Sequence, residues 1–149
     1  MLDAIRWDPE LIRRYDLAGP RYTSYPTAMQ FNSQVSPFDL LHALRESRKA
    51  LRPLSLYVHV PFCANICYYC ACNKVITKDR GRAQPYLQKL EQEIQMIACH
   101  LDPRQKVEQL HFGGGTPTFL SHDELRQLMA KLRQQFNLLD DDSGDYGIE

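Results

Sequence analysis

The chain has 149 residues, and its 18 Lys and Arg residues balance its 18 Asp and Glu residues, so the formal net charge is zero. This length suffices for one modest domain with a hydrophobic core, and the balanced charge lacks the basic footprint of nucleic-acid-binding proteins. No apolar run approaches the ~20 residues that cross a bilayer, and the early acid Asp3 argues against a signal peptide. We therefore expect a soluble cytoplasmic protein that binds neither nucleic acid nor a membrane.

The first 52 residues are predicted to form an N-terminal arm of helices and loops. Asp8 is followed by Pro and Glu, which is typical of the start of a short helix. Residues 19–27 are rich in helix breakers and predict a loop. Ser36, followed by Pro, indicates the start of a second helix that would run to about Lys49.

A domain covering residues 53–149 is predicted to follow, with the order strand, helix, strand, helix, strand. This alternation predicts an α/β fold in which parallel strands are joined by right-handed crossovers. Functional groups in such sheets gather at the C-terminal ends of the strands. The predicted elements are a strand at 54–60, a helix at 83–101, a strand at 107–112, a helix after a capping box at 121–124, and a strand that begins at 146.

Three cysteines at the end of the first predicted strand have the spacing C-x₃-C-x₂-C. They are Cys63, Cys67 and Cys70, and Cys72 follows closely. Four cysteines within one short segment favour a metal or redox site over a disulfide framework. Three thiolates on one loop can ligate three irons of a [4Fe–4S] cube, which leaves the fourth iron free to bind a small molecule.

A zinc site is the alternative for these cysteines, and it normally requires four nitrogen or sulfur ligands. Cys72 would be the fourth ligand, and His59 or Cys99 could also be recruited. The C-x-C spacing of Cys70 and Cys72 is uncommon in zinc ribbons, and the sequence has no second C-x₂-C pair. The spacing therefore favours the iron–sulfur cluster.

Three consecutive glycines, residues 113–115, directly follow the second predicted strand. Glycines allow the backbone to approach a ligand closely, and backbone N–H groups in such turns bind carboxylates or phosphates. The run matches neither a dinucleotide-binding fingerprint nor a P-loop, and a plain turn is the alternative. Its expected place beside the cysteine loop favours a ligand-binding role.

Several other side chains near these strand ends have two interpretations. Tyr57 lies on the first strand, where packing in the core is the simpler interpretation, whereas Tyr69 lies within the cysteine loop and could contact the cluster or its ligand. His59 and His111 lie near strand ends, where either could be a hydrogen-bonded buried histidine. Cys99, in the first crossover helix, is expected to be a core residue.

The combination of motifs resembles the radical S-adenosylmethionine (SAM) superfamily. The shared features are the C-x₃-C-x₂-C loop after one strand and GGGTP after the next, at residues 113–117. Further stretches resemble the oxygen-independent coproporphyrinogen III dehydrogenase family: GPRYTSYPT at 19–27, PLSLYVHVPFC at 53–63 and CACNK at 70–74. The resemblance covers the whole chain and implies the N-terminal part of a partial TIM-like (β/α) barrel, preceded by the helical and loop arm.

The resemblance also implies roles for individual residues. Cys63, Cys67 and Cys70 would ligate the cluster, and Cys72 would be a further cysteine that is required for activity without ligating iron. One SAM molecule would bind to the cluster, and a second would lie beside it. Arg21 is a candidate for pairing with a substrate propionate, since guanidinium matches carboxylate geometry. The expected contacts to the first SAM are Tyr57, Tyr69, Gly114 and Glu149, and those to the second are Gly115 and Thr116.

The implied reaction is the anaerobic oxidative decarboxylation of coproporphyrinogen III to protoporphyrinogen IX in haem biosynthesis. A 5′-deoxyadenosyl radical would abstract hydrogen from two propionate side chains in turn, and each would become a vinyl group. The cluster would receive its electron from a carrier such as flavodoxin or ferredoxin. The full-length protein is expected to be a monomer.

Two other functions stay open from the sequence. A haem chaperone of the same superfamily shares the cluster loop, but such proteins usually lack the motif at 19–27 and the cysteine at Cys72. A small zinc-binding interaction module would perform no chemistry. Residues 145–149 resemble the beginning of a strand rather than an exposed tail, so we expect the chain to be a piece of a longer protein that is inactive alone, with a short tail as the alternative.

Overall fold

The computed structural model describes residues 7–16 and 30–149. Chain contacts divide the protein into two units, residues 1–36 and 37–149, and each is described by itself. The first unit contains helix α1 (Pro9–Tyr15), whose predicted start is confirmed because the Asp8 carboxylate accepts hydrogen bonds from the backbone N–H groups of Glu10 and Leu11, both at 3.0 Å. The predicted loop at 19–27 lies outside the described residues.

The second unit alternates helices and strands, as the sequence predicts. Short 3₁₀ turns at Arg80–Arg82 and Pro117–Phe119 precede α3 and α4. The elements are α2 (Pro37–Lys49), β1 (Leu54–Val60), β2 (Phe62–Cys63), β3 (Val75–Ile76), α3 (Ala83–Ala98), β4 (Lys106–Gly114), α4 (His122–Gln135), β5 (Asn137–Leu138) and β6 (Asp145–Ile148).

Strand β4 is the central strand of a parallel sheet within residues 30–149. It pairs with β1 along one side, and along the other side with β5 at its start and with β6 further on. Strands β2 and β3 form a separate parallel pair that follows the end of β1. Parallel pairing confirms the predicted α/β architecture, because parallel neighbours require crossover connections such as α3 and α4.

The hydrophobic core lies between the sheet and the helices α3 and α4. Val58 and Val60 of β1, together with Leu110 and Phe112 of β4, point into this core. The alternate residues of the same strands point to the opposite face, where Tyr57 is 59% exposed. A strand presents successive side chains to opposite faces, so one face builds the core and the other is open for function.

The buried Gln105 connects α2 to the start of β4. Its side chain is 1% exposed. The Nε2 amide donates to the backbone carbonyls of Ser47 and Arg52 at 3.2 and 2.8 Å, and its Oε1 accepts from the Asp102 N–H at 2.9 Å. These partners satisfy a buried amide that would otherwise be costly, so Gln105 is part of the structural framework.

Several details differ from the sequence prediction. Helix α3 ends at Ala98 rather than at residue 101, and Cys99, predicted to be a core residue, is exposed. Cys99 follows the buried Ile94 by five positions, which places it about 140° around the helix from the apolar stripe. Strand β4 continues through Gly113 and Gly114, beyond its predicted end at residue 112. The short strands β2, β3 and β5 were not predicted, because two residues are too few to show the alternation of apolar and polar side chains that identifies a strand.

The predicted division into an arm of residues 1–52 and a barrel domain of residues 53–149 stays a prediction. Among the described residues, none of the helices is long and apolar enough to span a bilayer.

Candidate functional site

Several of the predicted site residues lie at or near the ends of β1, β4 and β6. In the sheet register Tyr57 is opposite His111, and Val60 is opposite Gly114. Glu149 directly follows β6, and its N–H donates to the Phe112 carbonyl at 3.0 Å. The carboxyl ends of three adjacent parallel strands thus bring together groups that are far apart in the sequence.

The cysteine loop begins at a buried cysteine in a strand, and the cysteines that follow are more exposed. Cys63 is buried in β2, and its carbonyl accepts from the Thr77 N–H at 2.9 Å. Cys67 is exposed and Cys70 is half-buried, and a turn joins them through the Cys70 N–H and the Cys67 carbonyl at 3.2 Å. One thiol is therefore positioned by the sheet, while the others lie on a loop that can fold around a ligand.

The glycine run packs directly against Cys63. The Gly115 N–H donates to the Val60 carbonyl at 2.8 Å, and the Thr116 N–H donates to the Phe62 carbonyl at 2.9 Å. The Thr116 hydroxyl also lies 3.5 Å from the Cys63 sulfur. A Cβ atom on Gly115 would come within 2.9 Å of that sulfur and 2.8 Å of two backbone carbonyl oxygens, so only glycine permits this approach.

Gly114 adopts a backbone conformation that favours glycine, with φ of +111°. A Cβ atom there would lie 2.8 Å from the His59 ring. The His59 Nε2 atom lies 2.8 Å from the Asn73 carbonyl and donates to it, since a carbonyl only accepts. The Tyr57 hydroxyl lies 3.4 Å from the other ring nitrogen, Nδ1. His59 therefore links β1 to the end of the cysteine loop.

Tyr57, His111 and Glu149 form a row across the open face of the sheet. The Tyr57 and His111 rings are stacked, with centroids 5.9 Å apart and an interplanar angle of 13°. The His111 Nε2 atom lies 3.5 Å from a Glu149 carboxylate oxygen. This row places a phenol, an imidazole and a carboxylate beside the glycine run.

Cys72 lies within electrostatic reach of Cys70 and Glu149. Loss of surrounding solvent raises the pKa of the Cys72 thiol, and the nearby Cys70 and Glu149 raise this pKa further. Burial also raises the pKa of Tyr57, with smaller contributions from the charges of Glu149 and Cys72. Cys72 is exposed, so its thiol is accessible while it remains within the electrostatic reach of the row.

The cysteine loop provides thiol groups of the kind that hold an iron–sulfur cluster. In the part of the chain that the structure describes, no group of three or more His, Cys, Asp or Glu side chains converges closely enough to hold one ion. A cube needs a different geometry, because each thiolate binds a different iron. The buried Cys63, the accessible Cys67 and Cys70 and the side-chain-free surface at Gly115 are consistent with such a group.

One described site residue is not brought into this arrangement. Tyr69 lies on the cysteine loop with its side chain 84% exposed. Arg21 lies outside the described residues. The predicted roles of these residues stay predictions.

Other residues that support the site were not singled out by the sequence. The Tyr86 hydroxyl, from α3, donates to the His59 carbonyl, and its ring meets Phe62 edge-on with centroids 5.5 Å apart. Arg80 donates to the Phe119 carbonyl and lies 4.5 Å from the centre of that ring. The helical spacing of apolar residues in α3 places Tyr86 on the face that packs against the core, so the sequence could have indicated its orientation. The groups that Tyr86 and Arg80 contact depend on the tertiary structure.

The chain is similar in sequence to a known protein family and to several known proteins. The family model of the radical SAM superfamily matches residues 57–147. An oxygen-independent coproporphyrinogen III oxidase from Pseudomonas aeruginosa is 74% identical over the whole chain, and the match covers 32% of that relative. A protein of the same name from Mannheimia haemolytica is 48% identical, with 94% of each chain covered. This chain therefore spans about a third of the length of the Pseudomonas relative.

The fold is also similar to a solved structure. The structure of coproporphyrinogen III oxidase (HemN) from Escherichia coli, described as a radical SAM enzyme, matches with a TM-score of 0.77 and 42% identity. The match covers 97% of this chain and 30% of that one.

Proposed function

This chain belongs to the radical SAM superfamily and, within it, to the oxygen-independent coproporphyrinogen III oxidases, and we propose that it carries the cofactor-binding part of an enzyme that converts coproporphyrinogen III to protoporphyrinogen IX. In this reaction each of two propionate side chains would lose a β-hydrogen atom to a 5′-deoxyadenosyl radical, one electron to a one-electron acceptor and its carboxyl group as CO₂, and a vinyl group would remain. The complete activity belongs to a full-length protein, since the chain spans about a third of its Pseudomonas relative.

The observation that carries this proposal is the contact between the glycine run and Cys63. Gly115 and Thr116 donate backbone hydrogen bonds to the segment that leads into Cys63, and a Cβ on Gly115 would collide with the cysteine sulfur. Two motifs separated by about fifty residues are thus joined into one surface. Such a surface suits a cofactor that must contact thiolates and backbone at once.

Cys63, Cys67 and Cys70 are proposed to hold a [4Fe–4S] cluster. The cluster, when bound, supplies the electron that begins the radical chemistry of SAM, and the protein contributes binding, orientation and exclusion of side reactions. Cys72, whose thiol is exposed, is proposed to act beside the cluster without ligating iron.

The row of side chains and the glycine run are proposed to bind SAM. The Glu149 carboxylate accepts hydrogen bonds and suits a cationic or hydroxyl-bearing part of the ligand, while Tyr57 and Gly114 lie beside it on β1 and β4. Tyr69 would contact the same molecule from the cysteine loop. Gly115 and Thr116 are proposed to contact a second SAM molecule.

The substrate and the remaining partners complete the proposal. Arg21 is proposed to pair with a propionate of coproporphyrinogen III, because a guanidinium group can form two parallel hydrogen bonds with a carboxylate. A small electron carrier such as flavodoxin or ferredoxin is proposed to reduce the cluster. The full-length protein is proposed to act as a cytoplasmic monomer that binds neither membrane nor nucleic acid.

The test uses a full-length chimera, in which this chain replaces the matching third of the Pseudomonas aeruginosa relative. After anaerobic purification and cluster reconstitution, we expect about four irons and four sulfides per chain, a visible absorbance that bleaches on reduction, SAM cleavage and formation of the divinyl product. Cys63→Ser in the same chimera should lower the iron content, while Cys99→Ser, at the exposed residue that directly follows α3, should change nothing.

The other outcomes identify the alternatives. Stoichiometric zinc without iron would show that the cysteine loop is structural and would end this proposal. Haem binding without divinyl product, by a chimera that carries its cluster, would instead indicate a haem chaperone.

A further inference from the structure

The ring of His111 occupies a defined position on the open face of the sheet. It stacks on Tyr57 with an interplanar angle of 13°. Glycines flank the ring on two sides: a Cβ on Gly113 would lie 3.1 Å from its Cδ2 atom, and a Cβ on Gly147 would lie 3.3 Å from its Nδ1 atom. The ring therefore lies against the Tyr57 ring and close to the backbone at Gly113 and Gly147.

This orientation directs the remaining ring nitrogen at Glu149. The Nε2 atom of His111 lies 3.5 Å from Oε1 of Glu149, which is the outer limit of hydrogen-bond distance. Polar contacts at functional sites are often long without ligand and shorten in the complex. The Glu149 backbone is fixed independently by its N–H bond to the Phe112 carbonyl at 3.0 Å, so the carboxylate is the part that still needs an orienting partner.

Glu149 is well placed to use such a partner. Its side chain is 62% exposed, and the residue directly follows β6 at the end of the sheet. A carboxylate with one oxygen engaged by an imidazole can present the other oxygen to a donor on a ligand. SAM offers donors of this kind in its ammonium group and its ribose hydroxyls.

We propose that His111 is a positioning residue for SAM: it orients the Glu149 carboxylate through Nε2 and stacks on Tyr57, so that both side chains meet the ligand in a prepared geometry. This inference rests on the proposed function, because it assumes that Glu149 contacts SAM. His111 itself does not contact the ligand in this arrangement. If His111 acts only through Glu149, a substitution of His111 should no longer change SAM affinity once Glu149 has been replaced. A role of His111 in packing alone would not depend on Glu149 in this way.

The experiment measures SAM binding to the reconstituted full-length chimera by equilibrium dialysis, with iron content determined for every variant. His111→Phe keeps an aromatic ring against Tyr57 but removes the nitrogen, and it should weaken SAM binding by about 5- to 10-fold, the scale of one polar contact. His111→Gln places an amide nitrogen near the position of Nε2 and should stay within about 3-fold of the unmodified chimera, a difference smaller than one polar contact.

The decisive comparison uses Glu149→Ala, which removes the carboxylate that His111 would orient. In that background His111→Phe should produce no further loss of SAM affinity. An equal loss of affinity in both backgrounds, or no loss in either, overturns the proposal. His122→Gln, at an exposed position at the start of α4, is the matched histidine control and should bind SAM as the unmodified chimera does.

A spectroscopic readout accompanies the binding data. SAM should perturb the electron paramagnetic resonance spectrum of the reduced cluster in the unmodified chimera and in H111Q, and it should do so only at higher concentration in H111F. If H111F does not fold or retain iron, His111→Asn replaces it, because its shorter amide cannot reach Glu149 and should cause the same loss. A chimera without iron or SAM binding refutes the proposed function, whereas a chimera that binds SAM equally with and without His111 refutes only this inference.

Discussion

The sulfur of Cys63 and the Cα of Gly115 are so close that a Cβ atom on Gly115 would lie 2.9 Å from the sulfur. The same Cβ would lie 2.8 Å from the carbonyl oxygens of Pro61 and Phe62. Because these obstacles include backbone atoms of adjacent residues, they cannot move aside as a flexible side chain could. The end of β4 and the beginning of the cysteine loop therefore form one rigid surface.

Gly115→Ala should disturb this surface in the full-length chimera. Overpacking of a tight contact costs about 2 kcal/mol, and the displacement of Cys63 should lower the iron content after reconstitution. Iron analysis and thermal unfolding measure the two effects. Gly81→Ala is the control, since its Cβ would approach only the side chain of Asp79; equal iron content in both variants would contradict the expected role of the contact.

Cys63 and Cys72 should respond differently to the same substitution. Cys63→Ser replaces the buried thiol next to Gly115 and should reduce the iron content and the visible absorbance of the chimera. Cys72→Ser, at an exposed thiol, should keep the iron content but lose formation of the divinyl product. Loss of iron in Cys72→Ser would show that this thiol ligates the cluster, against the proposed assignment.

Gln105→Met should destabilise the protein although it nearly preserves the volume of the side chain. The substitution leaves the Ser47 and Arg52 carbonyls and the Asp102 N–H without their amide partner. Unsatisfied buried groups of this kind cost about 2 kcal/mol in total free energy of unfolding. Urea denaturation measures the loss, with the exposed Gln134→Met as control; a variant as stable as the control would mean that water replaces these bonds.

Asp102 should contribute to stability in a pH-dependent way. Hydrogen bonds from the Arg104 side chain, followed by one from its backbone, lower the pKa of Asp102 from 3.8 to about 2. A lowered carboxyl pKa stabilises the folded state above pH 3.8, and this contribution is lost as the pH falls towards 2. Asp102→Asn should therefore be less stable at pH 5 and lose less stability between pH 4 and 2. Acid unfolding measures this, with the exposed loop variant Asp142→Asn as control, and an unchanged pH profile would count against the pair.

The 149 residues alone should not convert coproporphyrinogen III. The face that carries Tyr57 and His111 is open, and among the described residues β1 and β6 each pair with β4 alone, so that their other edges invite association. Chromatographic analysis for vinyl products, after anaerobic reconstitution of the chain, tests this expectation beside the full-length chimera. Vinyl product from the isolated chain at a rate comparable to that of the chimera would refute it.

The sequence by itself determined the features that depend on near neighbours. The helix start at Asp8 and the capping box between Ser121 and Glu124 were predicted correctly, because such caps involve residues only a few positions apart. The alternation of strands and helices was also predicted correctly, because the periodicity of apolar residues differs between strands and helices and indicates which face of each element is buried. It followed that the cysteine loop and the glycine run lie at the ends of neighbouring strands.

Only the tertiary structure decided which groups meet at those ends. The contacts of Thr116 with Cys63, of His59 with the Asn73 carbonyl and of His111 with Glu149 join residues that are 14 to 53 positions apart. No local pattern encodes such pairs, because they arise from strand register and sheet twist. The sequence also left Tyr57 and His111 open between core and site, since a strand has two faces and only packing against α3 and α4 determines which of them is buried.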